Sequence, residues 1–478
     1  MLHIRLKSRF NKHFLRELFI DLKEAIAGSE QDFTQIPLSK AILLLSIPMV
    51  LEMIMESVFA LVDIYFVSRL GAEHVAVVGI TESLMTIVYA LGIGLSVGTT
   101  ALVSRRIGEK KPGEASVAAV QAIFTGIVVS LLFSVAGIFF AKDLLRLMGA
   151  SPETVEMGYM YPAIMMGGNA VIMLLFIINA VFRSSGDAAI SMRVLWVANI
   201  INIILDPMLI LGIGPFPELG IKGAAIATNI GRGTAVIYQL YLLFRGKFRV
   251  KITLRDMVVR LHVIGKLIKL SLGAVGQYII GTSSWIFLVW VVTSLGEEVV
   301  AGYTIAIRII MFILLPSWGM ANAAATLVGQ NLGADKPERA ERSSWIVGIA
   351  NMIFLGLISI IFIAAPDPFI GFFINNSEEA LVLQSGITCL RVVSFGFLVY
   401  AMGMVMIQSI NGAGDTATPV WINFIAFWMI EIPVAYVLTH IANLHIRGVC
   451  YAILIAETVL TLTAMYIFNK GRWKLKQV

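Results

Sequence analysis

The sequence predicts an all-α integral membrane protein, with twelve transmembrane helices in two six-helix lobes related by a pseudo-two-fold axis along the membrane normal. Three observations carry that prediction. Hydrophobic residues make up 58% of the chain against 14% charged, and the mean hydropathy is +0.87, far too apolar for a chain that folds in water. Long apolar runs recur between short polar turns, and 478 residues leave room for roughly a dozen spans of about 20 residues each. The two halves of the chain also repeat one another.

Taken in order, the apolar runs fall near 41–68, 75–103, 115–141, 157–182, 190–211, 221–244, 266–293, 300–328, 343–364, 383–410, 417–440 and 447–468. One set of turns holds Arg105, Arg106, Lys110 and Lys111, then Arg183 and Arg193, then Arg245, Lys247, Arg249, Lys251, Arg255 and Arg260. The same set continues with Lys336, Arg339 and Arg342, and ends with Lys470, Arg472, Lys474 and Lys476. The opposite turns carry little beyond Arg69, Lys142, Arg146, Lys222 and Arg447. The positive-inside rule therefore places both termini in the cytoplasm of a cell-membrane protein, as an even number of spans requires. Residues 1–40, with Arg5, Lys7, Arg9, Lys12, Arg16 and Lys23, read as a cytoplasmic amphipathic lead-in and not as a cleaved signal. The expected organisation is an N-lobe over 41–245, an inter-lobe loop over 246–265, a C-lobe over 266–468 and a cytoplasmic tail over 469–478.

The repeat has a nearly constant offset. Leu70-Gly71 returns as Leu295-Gly296, Glu73 as Glu298 and Leu102-Val103 as Leu327-Val328, each 225 positions later. Gly108, Lys111 and Pro112 return as Gly333, Lys336 and Pro337, and Lys222-Gly223 as Arg447-Gly448. Ser185-Gly186-Asp187 returns as Ala413-Gly414-Asp415 with a small drift. Because six spans were duplicated and six is even, the copies share one orientation and leave a cleft between two bundles.

Charges inside the spans need a reason, since an ionised carboxylate at the bilayer centre costs about 2.5–3.5 kcal/mol even on lenient scales. Glu52, Glu56 and Asp63 share one run. At about 100° per residue, Glu56 lies roughly 40° and Asp63 roughly 20° from Glu52, so all three share a face. Such carboxyls are candidates for a proton relay. Asn199, Asn202 and Asp206 form a second stripe in span 5, ending at Pro207, and their oxygens suit a hard cation. Asp63 and Asp206 both fall in the outer half of their spans. Glu82, Arg232, Arg308, Arg391, Glu431 and Glu457 are read as paired with one another or snorkelling towards an end.

Several classes are excluded. Gly92-Ile-Gly94-Leu-Ser-Val-Gly98 lies inside an apolar span with no strand, so it is a helix-packing motif and no dinucleotide loop. No P-loop occurs, so the chain carries no ATPase site. The six histidines are scattered, and Cys389 and Cys450 have no spacing that suits zinc, haem or a redox pair. No nucleic-acid partner, cofactor or resident metal is expected. A channel filter and an enzyme's nucleophile and base are also missing.

From residue 40 to 470 the sequence resembles the multidrug and toxic compound extrusion (MATE) family. The resemblance rests on Pro48 in the first span, Val62-Asp63 near its outer end and the paired Leu-Gly turns. It also rests on the Gly-Glu-Lys-Lys-Pro and Gly-Ala-Asp-Lys-Pro turns after spans 2 and 8, the Arg183-to-Asp187 turn, and Leu205-Asp206-Pro207. The family implies export driven by an inward gradient of protons or sodium ions; the acids in the cleft would attract organic cations, and a monomer whose lobes rock between two states is expected. Pro48 would let the first span bend. The DinF-like and archaeal branch implies an N-lobe cation site, which falls here on Asp63, Asp206, Asn202, Asn179 and Thr228; a sodium ion would sit at Asp63 and Asp206. Counting residues puts Asn179 towards the inner end of its span. The NorM-like branch instead implies a span-7 glutamate, where this chain has Gly281. Its repeat image is Glu56, which points to coupling in the N-lobe. A lipid-linked precursor flippase of the same superfold is the alternative, and it would want a basic cleft lining.

Overall fold

The computed structural model describes residues 16–29, 31–246, 248–374 and 380–478. Arg5, Lys7, Arg9, Lys12 and Lys247 lie outside the described residues. The described chain is nearly all helix. A short helix over 16–27 leads to α1 (Leu38–Ser68), α2 (Ala72–Gly108) and α3 (Pro112–Leu147). The helical turn Pro152–Gly158 precedes α4 (Met160–Ser185), after which come α5 (Ala188–Ile210) and α6 (Ile221–Arg245). The second half holds α7 (Leu261–Thr293), α8 (Glu297–Gly333), α9 (Pro337–Ala364), α10 (Ala380–Ser394 and Phe397–Gly412), α11 (Ala417–Ile441) and α12 (Ile446–Asn469). Ten of these are long and apolar enough to cross a membrane alone, and α10 is an eleventh span bent by 56°. The twelfth, α6, has 25 residues but is diluted by Gly231, Arg232 and Gly233.

The repeat is written into the backbone. Gly71 and Gly296, which open α2 and α8, have φ of 108° and 109°. Lys110 and its image Asp335 both turn left-handed, at φ 61° and 55°. Gly220 (φ 56°, ψ −136°) caps α6 and His445 (φ 49°, ψ −136°) caps α12 in the same conformation. Pro112 and Pro337 take the first positions of α3 and α9, where a missing N–H goes unnoticed.

Three departures concern local geometry. The fourth span breaks at Gly168, where the Asn169 amide turns back to bond Ser130 O and Ser134 Oγ, both at 3.1 Å. The loop expected over 246–265 is shorter, because α7 begins at Leu261. Cys389 and Cys450, 61 residues apart, meet with their sulfurs 2.9 Å apart in the C-lobe core as free thiols.

Glycines report how the lobes meet. A Cβ on Gly94 would lie 2.4 Å from Val275, one on Gly98 would lie 2.6 Å from Ser271 Oγ, and one on Gly108 would lie 2.0 Å from the Gln330 carbonyl oxygen. From the other lobe, Gly319 presses on Met49, Gly329 on Ser104 and Gly333 on Arg105. Towards the opposite ends of these helices, Gly71, Gly79, Gly281 and Gly296 meet nothing within 4 Å. The lobes are thus clamped at the end that carries the basic turns and splayed at the other. The Gly92-to-Gly98 motif is helix packing, as read from sequence.

Two non-spanning segments tie the clamped end. Asp32 binds Lys110, the Gln31 carbonyl accepts from Arg249 at 2.5 Å, and in the other lobe Lys336 donates to Thr34 O at 2.9 Å and Arg339 to Phe33 O at 3.0 Å. Burial opposes ionisation of Asp32, but hydrogen bonds from Lys110 and Thr34 outweigh it and hold the carboxyl below its usual range. Residues 472–478 reach back from α12: Arg105 donates to Lys476 O at 2.6 Å and Arg106 to Val478 O at 2.9 Å, while the Lys476 ammonium pairs with Asp415 at 3.3 Å.

Candidate functional site

The acids of α1 share one face, as their spacing requires, but meet different partners. Glu52 is 1% exposed and is held by three neighbours: Arg183 Nη1 at 2.7 Å, Ser191 Oγ at 3.1 Å and Asn179 Nδ2 at 3.3 Å. One turn further along, Glu56 takes Arg232 at 3.1 Å and the Asn199 amide at 3.2 Å. Both candidates for a proton relay therefore stand in ion pairs. Sequence reading missed this role for Arg183, which counts as a turn residue near the end of α4; its side chain reaches inward, 9% exposed. Arg232 pairs as read.

Asp63 is half-buried near the splayed end of α1 and lies within electrostatic reach of Asp206. Asp206 is fully buried. With the Asn202 amide oriented to satisfy both its ends, its nitrogen donates to Asp206 Oδ2 at 2.9 Å, and its oxygen accepts from the Thr228 backbone at 2.9 Å and hydroxyl at 3.2 Å. Asp206 Oδ1 is buried without a partner. The structure thus joins Asp206, Asn202 and Thr228 directly and sets Asp63 opposite them. The buried Tyr161 phenol of α4 is within electrostatic reach of both aspartates and was not read from sequence.

Asn179 is the residue that does not join. Its Oδ1 accepts from Gln239 at 2.5 Å while its amide faces Glu52, so it belongs to the inner ion-pair group and not to the aspartate cluster. Residue counting along α4 already placed it at that depth.

The aspartate cluster offers carboxylate, amide and hydroxyl oxygens, which suit a hard cation or a proton, and its unpaired Oδ1 is a donor atom left over. Among the described residues no group of three or more His, Cys, Asp or Glu side chains could hold a metal. Pro48 lies inside α1 without interrupting it, so α1 is one continuous helix of 31 residues in this state.

Between the lobes, a cavity of about 220 Å³ is lined by both Glu–Arg pairs of the N-lobe. A second, of about 450 Å³, opens into the C-lobe and is lined by Glu431 and Glu457. Arg308 and Arg391 are exposed.

Known proteins resemble this chain over nearly its whole length. It is 26% identical to the "Probable multidrug resistance protein YoeA" of Bacillus subtilis over 90% of this chain and 93% of that protein. It is 25% identical to the "Probable multidrug resistance protein NorM" of Thermotoga maritima over 92% and 94%. It superposes on a structure described as the "Outward-facing conformation of a multidrug resistance MATE family transporter of the MOP superfamily" with a TM-score of 0.86 and 26% identity, covering 93% of this chain and 97% of that one. A Pyrococcus furiosus transporter of that superfamily, described by the reversed polarity of its binding pocket, gives 0.87 at 25% identity, with 93% and 98% covered. Residues 48–208 and 274–437 match the MatE family, one segment in each lobe, so the chain belongs to that family and is a multi-pass multidrug efflux transporter, not an enzyme.

Proposed function

We propose that the protein is a secondary antiporter that exports organic cations in exchange for protons or sodium ions bound at Asp63, Asp206, Asn202 and Thr228. The observation that carries this is Asp206: a fully buried carboxylate with one unpartnered oxygen and, among the described residues, no arginine of its own, set against a second aspartate. Two anions held together in an apolar bundle call for a cation. The splayed end next to Asp63 gives that ion a path, and the clamped end closes the cleft behind it. With the basic turns in the cytoplasm, both termini lie inside and the splayed end faces outward. The division at 246–265 then separates two lobes that rock as units within one subunit, and Pro48 supplies the bend of α1. The N-lobe position of the cluster supports the DinF-like and archaeal branch.

Glu52 and Glu56 serve this cycle through their ion pairs, which can exchange partners when the ion site fills. A flippase for lipid pyrophosphates would need free basic groups in the cleft, and Arg183 and Arg232 are already committed to glutamates. The test is transport in proteoliposomes under opposed proton and sodium gradients, with ethidium as cargo. Wild-type protein should export under one gradient. Asp63→Asn and Asp206→Asn should each abolish ion-driven export at normal protein level, and export that survives in both would sink the proposed site.

A further inference from the structure

The two cavities differ in charge balance. The smaller one holds Glu52 and Glu56 together with Arg183 and Arg232, so its charges cancel. The larger one takes Glu431 from α11 and Glu457 from α12, and among the described residues no lysine or arginine lines it. Glu431 is 5% exposed, accepts from Ser284 Oγ at 2.5 Å, and lies within electrostatic reach of Glu457. Pro433 lacks an N–H and crowds the preceding turn, and the chain before it winds in wide π-helical turns over Phe424–Glu431. Such turns re-aim side chains and recur at functional positions.

A second observation points into the same space. Asn423, 9% exposed, lines the cavity with its Oδ1 buried and unpartnered. Apart from the amides of Gln277, Gln408 and Asn411, the remaining walls are apolar and aromatic, with Tyr278, Trp285, Tyr400 and Phe427 beside Met311 and Met404. Aromatic faces attract cations, and methionines adapt to varied shapes. Two carboxyls and an orphan carbonyl oxygen line one cavity whose lining supplies no basic side chain, so a positive charge that ionises the carboxyls is left to be brought by a ligand.

We propose that the organic cation sits in this C-lobe cavity, its ammonium or amine hydrogens held by Glu431, Glu457 and Asn423 and its apolar body against the aromatic walls. The proposal rests on the exporter reading above and divides the work: the coupling ion is bound in one lobe and the cargo in the other.

The test is equilibrium binding of ethidium to the purified full chain in nanodiscs. Glu431→Gln and Glu457→Gln should each weaken binding by roughly tenfold or more, because each removes a charge from a desolvated pair. Gly281 lines the same cavity and has open space where a Cβ would stand, so Gly281→Phe should block ethidium without disturbing the fold. Gly79→Ala, which faces open space and does not line the cavity, should leave ethidium affinity within about twofold. Unchanged binding in Gly281→Phe and in both glutamine variants would overturn the C-lobe site and leave the exporter standing. A wild-type protein that binds no ethidium would overturn both.

Discussion

In the N-lobe, Glu52 and Glu56 meet arginines at 2.7 and 3.1 Å; in the C-lobe, Glu431 and Glu457 share a cavity that no lysine or arginine lines among the described residues. The turns of the two lobes nevertheless match closely at Gly71 (φ 108°, ψ 167°) and Gly296 (φ 109°, ψ 157°). Duplication therefore preserved the scaffold while the charges diverged. A buried acid with a fixed counter-charge is a strut, and one without is an opening for a mobile cation.

The sharpest way to break this comparison is to remove one strut. Arg183→Ala would strand Glu52, 1% exposed, and should cost about 3–5 kcal/mol, seen as a large drop in melting temperature or yield. Adding Glu52→Gln should restore much of it. Glu431→Gln in the C-lobe should leave the melting temperature unchanged or raise it; an equal loss there would erase the distinction.

The clamped and splayed halves invite a second test. Gly108→Ala drives a methyl into the Gln330 carbonyl and should cost about 1–3 kcal/mol of the clamped state, whereas Gly79→Ala, facing open space, should cost little. Distance measurements between spin labels across the basic turns would report the parting of the lobes. Arg232→Gln, beside the more exposed Glu56, should destabilise by only about 1–2 kcal/mol, and a loss as large as that of Arg183→Ala would put the two pairs in one class.

Twelve spans and the repeat were legible because lipid demands long apolar runs and turns demand particular residues. The kink at Gly168 and the 56° bend of α10 were not, since both lie within continuous apolar stretches. Asp206 and Asn202 were legible as a stripe on one helix. Arg183 was misjudged because sequence gives a residue's depth and not the reach of a long side chain. Glu431 and Glu457 were read as paired or snorkelling, and their cavity exists only in three dimensions. The smallest effect probes the repeat itself: His445 stands where the other lobe has Gly220, in a conformation that disfavours side chains, so His445→Gly should gain about 1 kcal/mol in thermal unfolding.

The segments over 31–36 and 472–478 cross no membrane, yet each joins groups from both lobes. Any state in which Gly108 and Gln330 part must first surrender those bonds. In the proposed cycle, alternation would then be timed partly by chain that touches neither ion nor cargo, and ligand affinities alone would not set its speed.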